Sequence, residues 1–225
     1  MAKLVERLHK VPTAYGMVIS AEKTKFMTNK TRCINKEIKV NGKKLEKVTC
    51  FKYLGSVVSD DGSKPEILSR VAQTTAALTR LEPVLNDRNI SLSSKVRMMC
   101  SIVTSIFLYA SDSWTVTAEL QIRIGATEMR CNSKMLRISY KIYVTNEEVH
   151  GKIHQAIGPR EDLLTMVKRR KLQWYGHVSR SSGLTKTILQ GTLNGERRQS
   201  RQKKRWEDNI RIGEAWGLPS YRGQW

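Results

Sequence analysis

Apolar residues along this chain change period twice, and each change marks a change of element. Leu4, Leu8, Val11 and Tyr15 recur at helical spacing, but Pro12 has no amide proton to give and ends or bends that segment after Val11. From Gly16 the pattern shortens to alternating runs at 24–28, 34–40 and 43–48. Asn41-Gly42 sits between the last two runs and is a two-residue hairpin signal, because a type I′ turn needs positive φ at both central positions. Residues 51–58 add a strand. The spacing predicts a small antiparallel β-hairpin sheet up to about residue 60.

After Gly62 the period lengthens to that of helices. Ser63-Lys64-Pro65-Glu66 offers a capping hydroxyl, a proline where its missing donor does no harm, and a carboxylate three residues on. Ile67, Val71, Thr74, Leu78 and Leu81 mark the buried face of this first helix. A second starts at Ser91 with Leu92, Val96, Met99, Val103 and Ile106, and a third carries Leu120, Ile124, Cys131, Met135 and Ile138. Thr145-Asn146-Glu147-Glu148 repeats the capping pattern, residues 159–178 read as one long helix, and a short helix is expected at 202–211. From Gly183 to that last helix, Gly, Ser, Thr and Arg predict irregular chain. The expected fold is α+β and mostly α, in three parts: a hairpin sheet at 1–62, a helical bundle at 63–140 and a basic helical region at 141–225.

Charge narrows the partners. Forty Lys and Arg against twenty Asp and Glu leave a net +20, which favours a polyanion and opposes self-association. Between Met166 and Arg211, thirteen Lys and Arg face Glu196, Glu207 and Asp208, so a net +10 lies in about a fifth of the chain. Lys168-Arg169-Arg170-Lys171 precedes Trp174-Tyr175, and Arg197, Arg198, Arg201, Lys203, Lys204 and Arg205 precede Trp206. Both runs are candidate phosphate contacts, with nuclear import or plain solubility as the alternative; the two tryptophans are expected to be packing anchors. The apolar run at 98–110 holds Cys, Ser and Thr and is too short to span a bilayer, so it reads as a buried helix and no membrane partner is expected. Four cysteines at 33, 50, 100 and 131 form no close pair and are expected to be reduced thiols. With no apolar leader at the start, an intracellular site is expected, nuclear or cytoplasmic.

Several segments, in order, carry a resemblance. Residues 16–27, Phe51-Lys52-Tyr53-Leu54-Gly55 ahead of Asp60-Asp61-Gly62, residues 91–114, Glu128-Met129-Arg130-Cys131, Val144-Thr145-Asn146-Glu147-Glu148-Val149, residues 168–178 and residues 197–210 are involved. Together they resemble the end of the palm, the thumb and the basic downstream region of reverse transcriptases from non-LTR, LINE-type retrotransposons. The resemblance covers roughly residues 4–210 and departs at Cys131-Asn132-Ser133 and after Ile210. It implies that Lys23 is the palm-motif lysine that protonates leaving pyrophosphate, a role suited to an ammonium that can donate to a developing oxyanion; a solvated lysine, one of forty basic residues, is the alternative. It implies that Phe51, Lys52, Tyr53, Leu54 and Gly55 form a primer grip; an ordinary strand with Phe51, Tyr53 and Val57 on one face is the alternative. The aromatic-X-Asp-Asp turn that holds magnesium in that family would lie upstream of Gly16, so no cofactor is expected for this chain alone.

Other candidates are weaker. Asp60-Asp61 precedes Gly62-Ser63 and a helix cap, so it reads as a solvated turn, and no metal is assigned to it. His150 and His154 share helical spacing, but Cys131 or His177 would have to complete a zinc set, and surface imidazoles are the plainer reading. The expected function is that of a retrotransposon RNA-directed DNA polymerase fragment that contacts RNA or DNA, duplex or structured, and does not polymerise alone. Palm and endonuclease regions would be its partners if expressed separately. A non-enzymatic RNA- or DNA-binding protein of retroelement descent, or a decayed element, are the alternatives.

Overall fold

The computed structural model describes residues 15–20, 22–28, 38–40, 42–139, 141–190 and 204–215, with backbone alone for Gln190 and 212–215. The protein is α+β with helix dominant. It divides into two compact units, Met1–Glu66 and Ile67–Trp225. The helix expected from Leu4 onwards lies outside the described residues except at Tyr15.

Three two-stranded sheets form the first unit among the described residues. β1 (Lys25–Phe26) pairs with β4 (Glu46–Lys47), β2 (Lys39–Val40) with β3 (Lys43–Lys44), and β5 (Cys50–Tyr53) with β6 (Ser56–Ser59). A hairpin joins these two runs: Val40 lies opposite Lys43 and Gly42 takes φ +74°, while Asn41 lies outside the described residues. One pair departs from the antiparallel expectation, because β1 and β4 run parallel. Nineteen residues, 27–45, separate these strands, enough chain for a same-direction crossover, and alternation within a strand carries no record of its neighbour's direction. Ile38, Val40 and Leu45 form a small core against which Ile19 and Phe26 pack.

The second unit is built of helices around two clusters. α1 (Lys64–Asn86) begins directly after Ser63, where the sequence places a helix start, and Glu66, in its first turn, accepts the Val57 amide proton. α2 (Leu92–Met98) opens with Ser91 accepting from the Ser94 amide, and continues through a π-helical turn (Met99–Thr104) into α3 (Ser105–Phe107). The π turn corrects the predicted stripe. With its wider repeat the buried face steps from Met99 to Val103 to Phe107, leaving Ile106 only half-buried. α4 (Ala118–Met135) ends short of Ile138. Arg137 takes φ +57°, its amide bonds the Lys134 carbonyl, and the Ile138 amide bonds the Ser133 carbonyl. These two bonds are a Schellman ending with arginine where glycine is usual.

α5 (Asn146–Ile157) is capped by Thr145 as expected. α6 (Leu163–Arg180) starts later than Pro159: Gly158, at φ +85°, ends α5, and Asp162 caps α6 by accepting from the Thr165 amide. α7 (Leu184–Gln190) occupies part of the stretch expected to be irregular. α8 (Trp206–Ala215) replaces the expected 202–211 helix. Lys204 and Arg205 precede it, and Asp208 accepts the Arg205 amide proton, fixing the start there. Ile67, Phe107, Trp114, Leu120, Ile124, Leu163 and Val167 share one cluster, so α1, α3, α4 and α6 meet in a single core. Leu78, Leu85, Val96, Met99, Val103, Cys131, Met135 and Ile153 form the other.

Candidate nucleic-acid interface

The β5–β6 hairpin holds the five residues expected to form a primer grip. Leu54 and Gly55 take φ +47° and +83°, so both central residues of the two-residue turn are left-handed, the geometry that matches strand twist. Phe51 lies opposite Val58, Lys52 opposite Val57 and Tyr53 opposite Ser56. Phe51, Tyr53 and Val58 therefore share one face, and Val57 sits on the other beside Lys52, not with the aromatics as the alternative reading had it. Register decides this, since opposed residues project to the same side. Phe51, Tyr53 and Leu54 are 38%, 60% and 76% exposed, an apolar tip open to solvent. Lys23 is exposed in a turn ahead of β1, where Ser20 supplies a weak 3.4 Å contact to its amide.

The first basic run is mostly turned to internal use. α6 buries a stripe of Leu163, Val167, Lys171 and Val178, and Lys171 is only 2% exposed. Its ammonium donates to the Trp114 carbonyl at 2.5 Å and to Asn209 Oδ1 at 3.0 Å, and lies 4.8 Å from the centre of the Trp206 ring. Burial, with the Lys204 charge adding to it, lowers its pKa to about 7. Arg170 donates to the Leu108 carbonyl at 2.9 Å, and Arg169 pairs with Glu161 at 3.2 Å. Lys168 is half-buried, and desolvation lowers its pKa against the pull of Asp162.

Of the second run, Arg197, Arg198, Arg201 and Lys203 lie outside the described residues, while Lys204 and Arg205 stand at the start of α8. Trp206 is the anchor expected: its indole donates to the Asp112 carbonyl at 2.7 Å and meets Trp174 edge to face at 5.2 Å. Trp174 is 38% exposed, more open than expected, because Lys171 takes the inward position on that helix face. Sequence reasoning passed over Asn209, whose side-chain amide accepts from the Val116 N–H at 2.8 Å and donates to the Val116 carbonyl at 2.9 Å. An asparagine beside Ile210 in an amphipathic helix was the available signal. The helix face that carries Lys171, four residues beyond Val167 and seven before Val178, was legible too, though not what its ammonium meets there.

The metal-binding chemistry implied by the resemblance does not fit these residues. Asp60 and Asp61 lie in an exposed turn, and among the described residues no group of three His, Cys, Asp or Glu side chains could hold a cation. The His150 and His154 rings stand 6.2 Å apart, His154 exposed and His150 half-buried. Cys131 is buried and its pKa is pushed up to about 11, mainly by burial and then by Glu128, the reverse of what a nucleophile or metal ligand needs. Burial also raises Glu128, which accepts the Leu163 amide proton at 3.0 Å and so helps to start α6. Among the described residues no helix is long and apolar enough to cross a membrane.

A mostly helical, basic α+β chain with a hairpin tip and a strapped helical unit is the class that the geometry defines. Over 220 residues it is 26% identical to an uncharacterized transposon-derived protein of Caenorhabditis elegans, a match spanning 93% of this chain and 77% of that one. This likeness supports an origin in a transposable element. No family model matches the chain, and no solved structure matches it.

Proposed function

We propose that this chain grips nucleic acid as the palm end, thumb and downstream region of a LINE-type reverse transcriptase would. The observation that carries the reading is the open tip of the β5–β6 hairpin, where Phe51, Tyr53 and Leu54 project uncovered at the position that resembles a primer grip. An aromatic ring offers a face for a base or sugar, and Lys52 offers a charge for a phosphate. The net +20 and the likeness to a transposon-derived protein support the same reading. Lys168, Lys204 and Arg205, with Arg197, Arg198, Arg201 and Lys203, supply the sequence-independent attraction; Lys171, Arg170 and Arg169 are left out of the contact because they are engaged within the fold. Lys23 takes its leaving-group role only where palm carboxylates from another polypeptide segment complete the site. RNA or DNA, duplex or structured, is the partner.

The test is anisotropy of a labelled RNA–DNA template-primer across a salt series. Affinity is expected to fall steeply with salt, and Phe51→Ala with Tyr53→Ala to weaken binding by at least about tenfold, given 1–3 kcal/mol per stacked base. Unchanged binding in that pair, or unchanged affinity and salt slope after Arg197, Arg198, Arg201, Lys203, Lys204 and Arg205 are all made Gln, would reject the corresponding contact.

A further inference from the structure

α6, α7, α8 and the 3₁₀ turn Ser111–Ser113 surround an open hollow of about 640 Å³ in the second unit, the size of a ligand site and far beyond a packing defect. Its apolar walls are Trp174 of α6, Ile188 and Leu189 of α7 and Trp206 of α8. Ile188 and Leu184, one turn earlier, are exposed, so α7 turns apolar groups to solvent here. The two rings are fixed: Trp206 donates to the Asp112 carbonyl, and Trp174 stands against it at 83°. Part of the Trp174 surface stays open, and a ring that is already oriented loses little freedom on binding. Asp112, Glu207 and Arg205 also line the hollow.

These walls discriminate between occupants. Two carboxylates oppose a phosphate inside the hollow. An apolar side chain of a protein partner would suit the rings but strip water from Asp112, Glu207 and Arg205 without bonding them. A nucleobase meets every wall: its face stacks on an indole, its N–H groups donate to carboxylate oxygens, and its flanking phosphates stay outside, near exposed Arg205. We propose that the hollow takes one unpaired base of structured nucleic acid, stacked on Trp174, with Asp112 or Glu207 accepting protons from its edge. Guanine fits best, since its N1–H and N2–H lie side by side and a carboxylate has two oxygens to receive them; uracil offers one N–H between two carbonyls. This deepens the nucleic-acid reading and rests on it.

Binding of the full chain to two labelled RNA hairpins, alike except that one carries a single bulged guanine, tests the assignment. Wild type is expected to hold the bulged hairpin about tenfold more tightly, the worth of one stacked base. Trp174→Leu keeps an apolar group against Trp206 but loses the ring; it is expected to bind both hairpins alike, at wild type's affinity for the paired one. Asp112→Asn with Glu207→Gln leaves the Asp112 backbone carbonyl to Trp206. That variant is expected to keep the preference for a bulge and to lose wild type's preference for bulged guanine over bulged uracil. No preference for the bulge in wild type overturns the proposal, leaves the nucleic-acid reading standing and turns the hollow over to an apolar side chain of a partner protein. A preference that survives Trp174→Leu overturns it as well, since the base then stacks elsewhere, as on Phe51 or Tyr53. A guanine preference that survives the carboxylate variant overturns the part given to Asp112 and Glu207. Absence of binding to either hairpin at any salt rejects the nucleic-acid reading itself. If free guanosine bound wild type as tightly as the bulged hairpin, and Trp174→Leu removed that binding, the site would be one for a nucleoside and its assignment to a nucleic-acid base would be overturned.

Discussion

Lys171 Nζ donates to Asn209 Oδ1 at 3.0 Å, tying the basic helix α6 to the short helix α8 through the interior of the second unit. That ammonium stands among apolar walls, and its pKa near 7 sets a pH dependence of stability. Unfolded lysine keeps its proton to about pH 10.4, so above pH 7 the unfolded chain binds more protons than the folded one. Stability therefore rises with pH between about 7 and 8.5, by at most about 1.4 kcal/mol per unit for this group. Cys131, pushed up, opposes it only above that window. Urea melts of wild type and Lys171→Met across the window should show the slope in the first and a flatter line in the second.

Asn209, the α8 end of that tie, is bonded through its amide to both backbone groups of Val116. Asn209→Ala leaves those groups and the Lys171 ammonium short of partners, a loss of about 1–3 kcal/mol. Limited proteolysis should cut α8 first in the variant, and its midpoint in denaturant should fall.

At the hairpin tip, Leu54 holds φ +47°, a conformation that costs an L-residue with a branched side chain about 1 kcal/mol. Leu54→Asn is expected to stabilise the first unit by roughly that amount, since asparagine tolerates the left-handed region. If Leu54 touches nucleic acid, the same change lowers affinity. Thermal melts and template-primer binding on one preparation separate the two effects.

Thiol chemistry should divide the cysteines. Cys50 and Cys100 are exposed and should react promptly with an aromatic disulfide reagent in native buffer, whereas Cys131, buried and held protonated, should react only on unfolding. Peptide mapping after labelling checks the order.

The palm carboxylates of the resembling enzymes find no counterpart in Asp60 and Asp61, which occupy an exposed turn. Primer extension by this chain alone is expected to be nil with magnesium or manganese, because in-line phosphoryl transfer needs a clamped metal pair. Incorporation of a labelled nucleotide by the purified chain would contradict that expectation.

Local signals were enough for the elements with their own punctuation. Asn41-Gly42 specified a hairpin, Ser91 and Thr145 specified helix starts, and Leu120, Ile124, Cys131 and Met135 specified a buried face, because caps, turns and periodicity are decided within a few residues. What sequence could not settle involved partners distant along the chain. The parallel pairing of β1 with β4, the separation of Val57 from Phe51 by register, and the π turn that brings in Phe107 each depend on which segment lies alongside. The basic run at 168–171 shows the difference most plainly. Its charges are evident from the letters, yet only packing against Trp114, Leu108 and Glu161 decides that Lys171, Arg170 and Arg169 are engaged within the fold, since a cation's role follows from the carbonyls and carboxylates brought within reach.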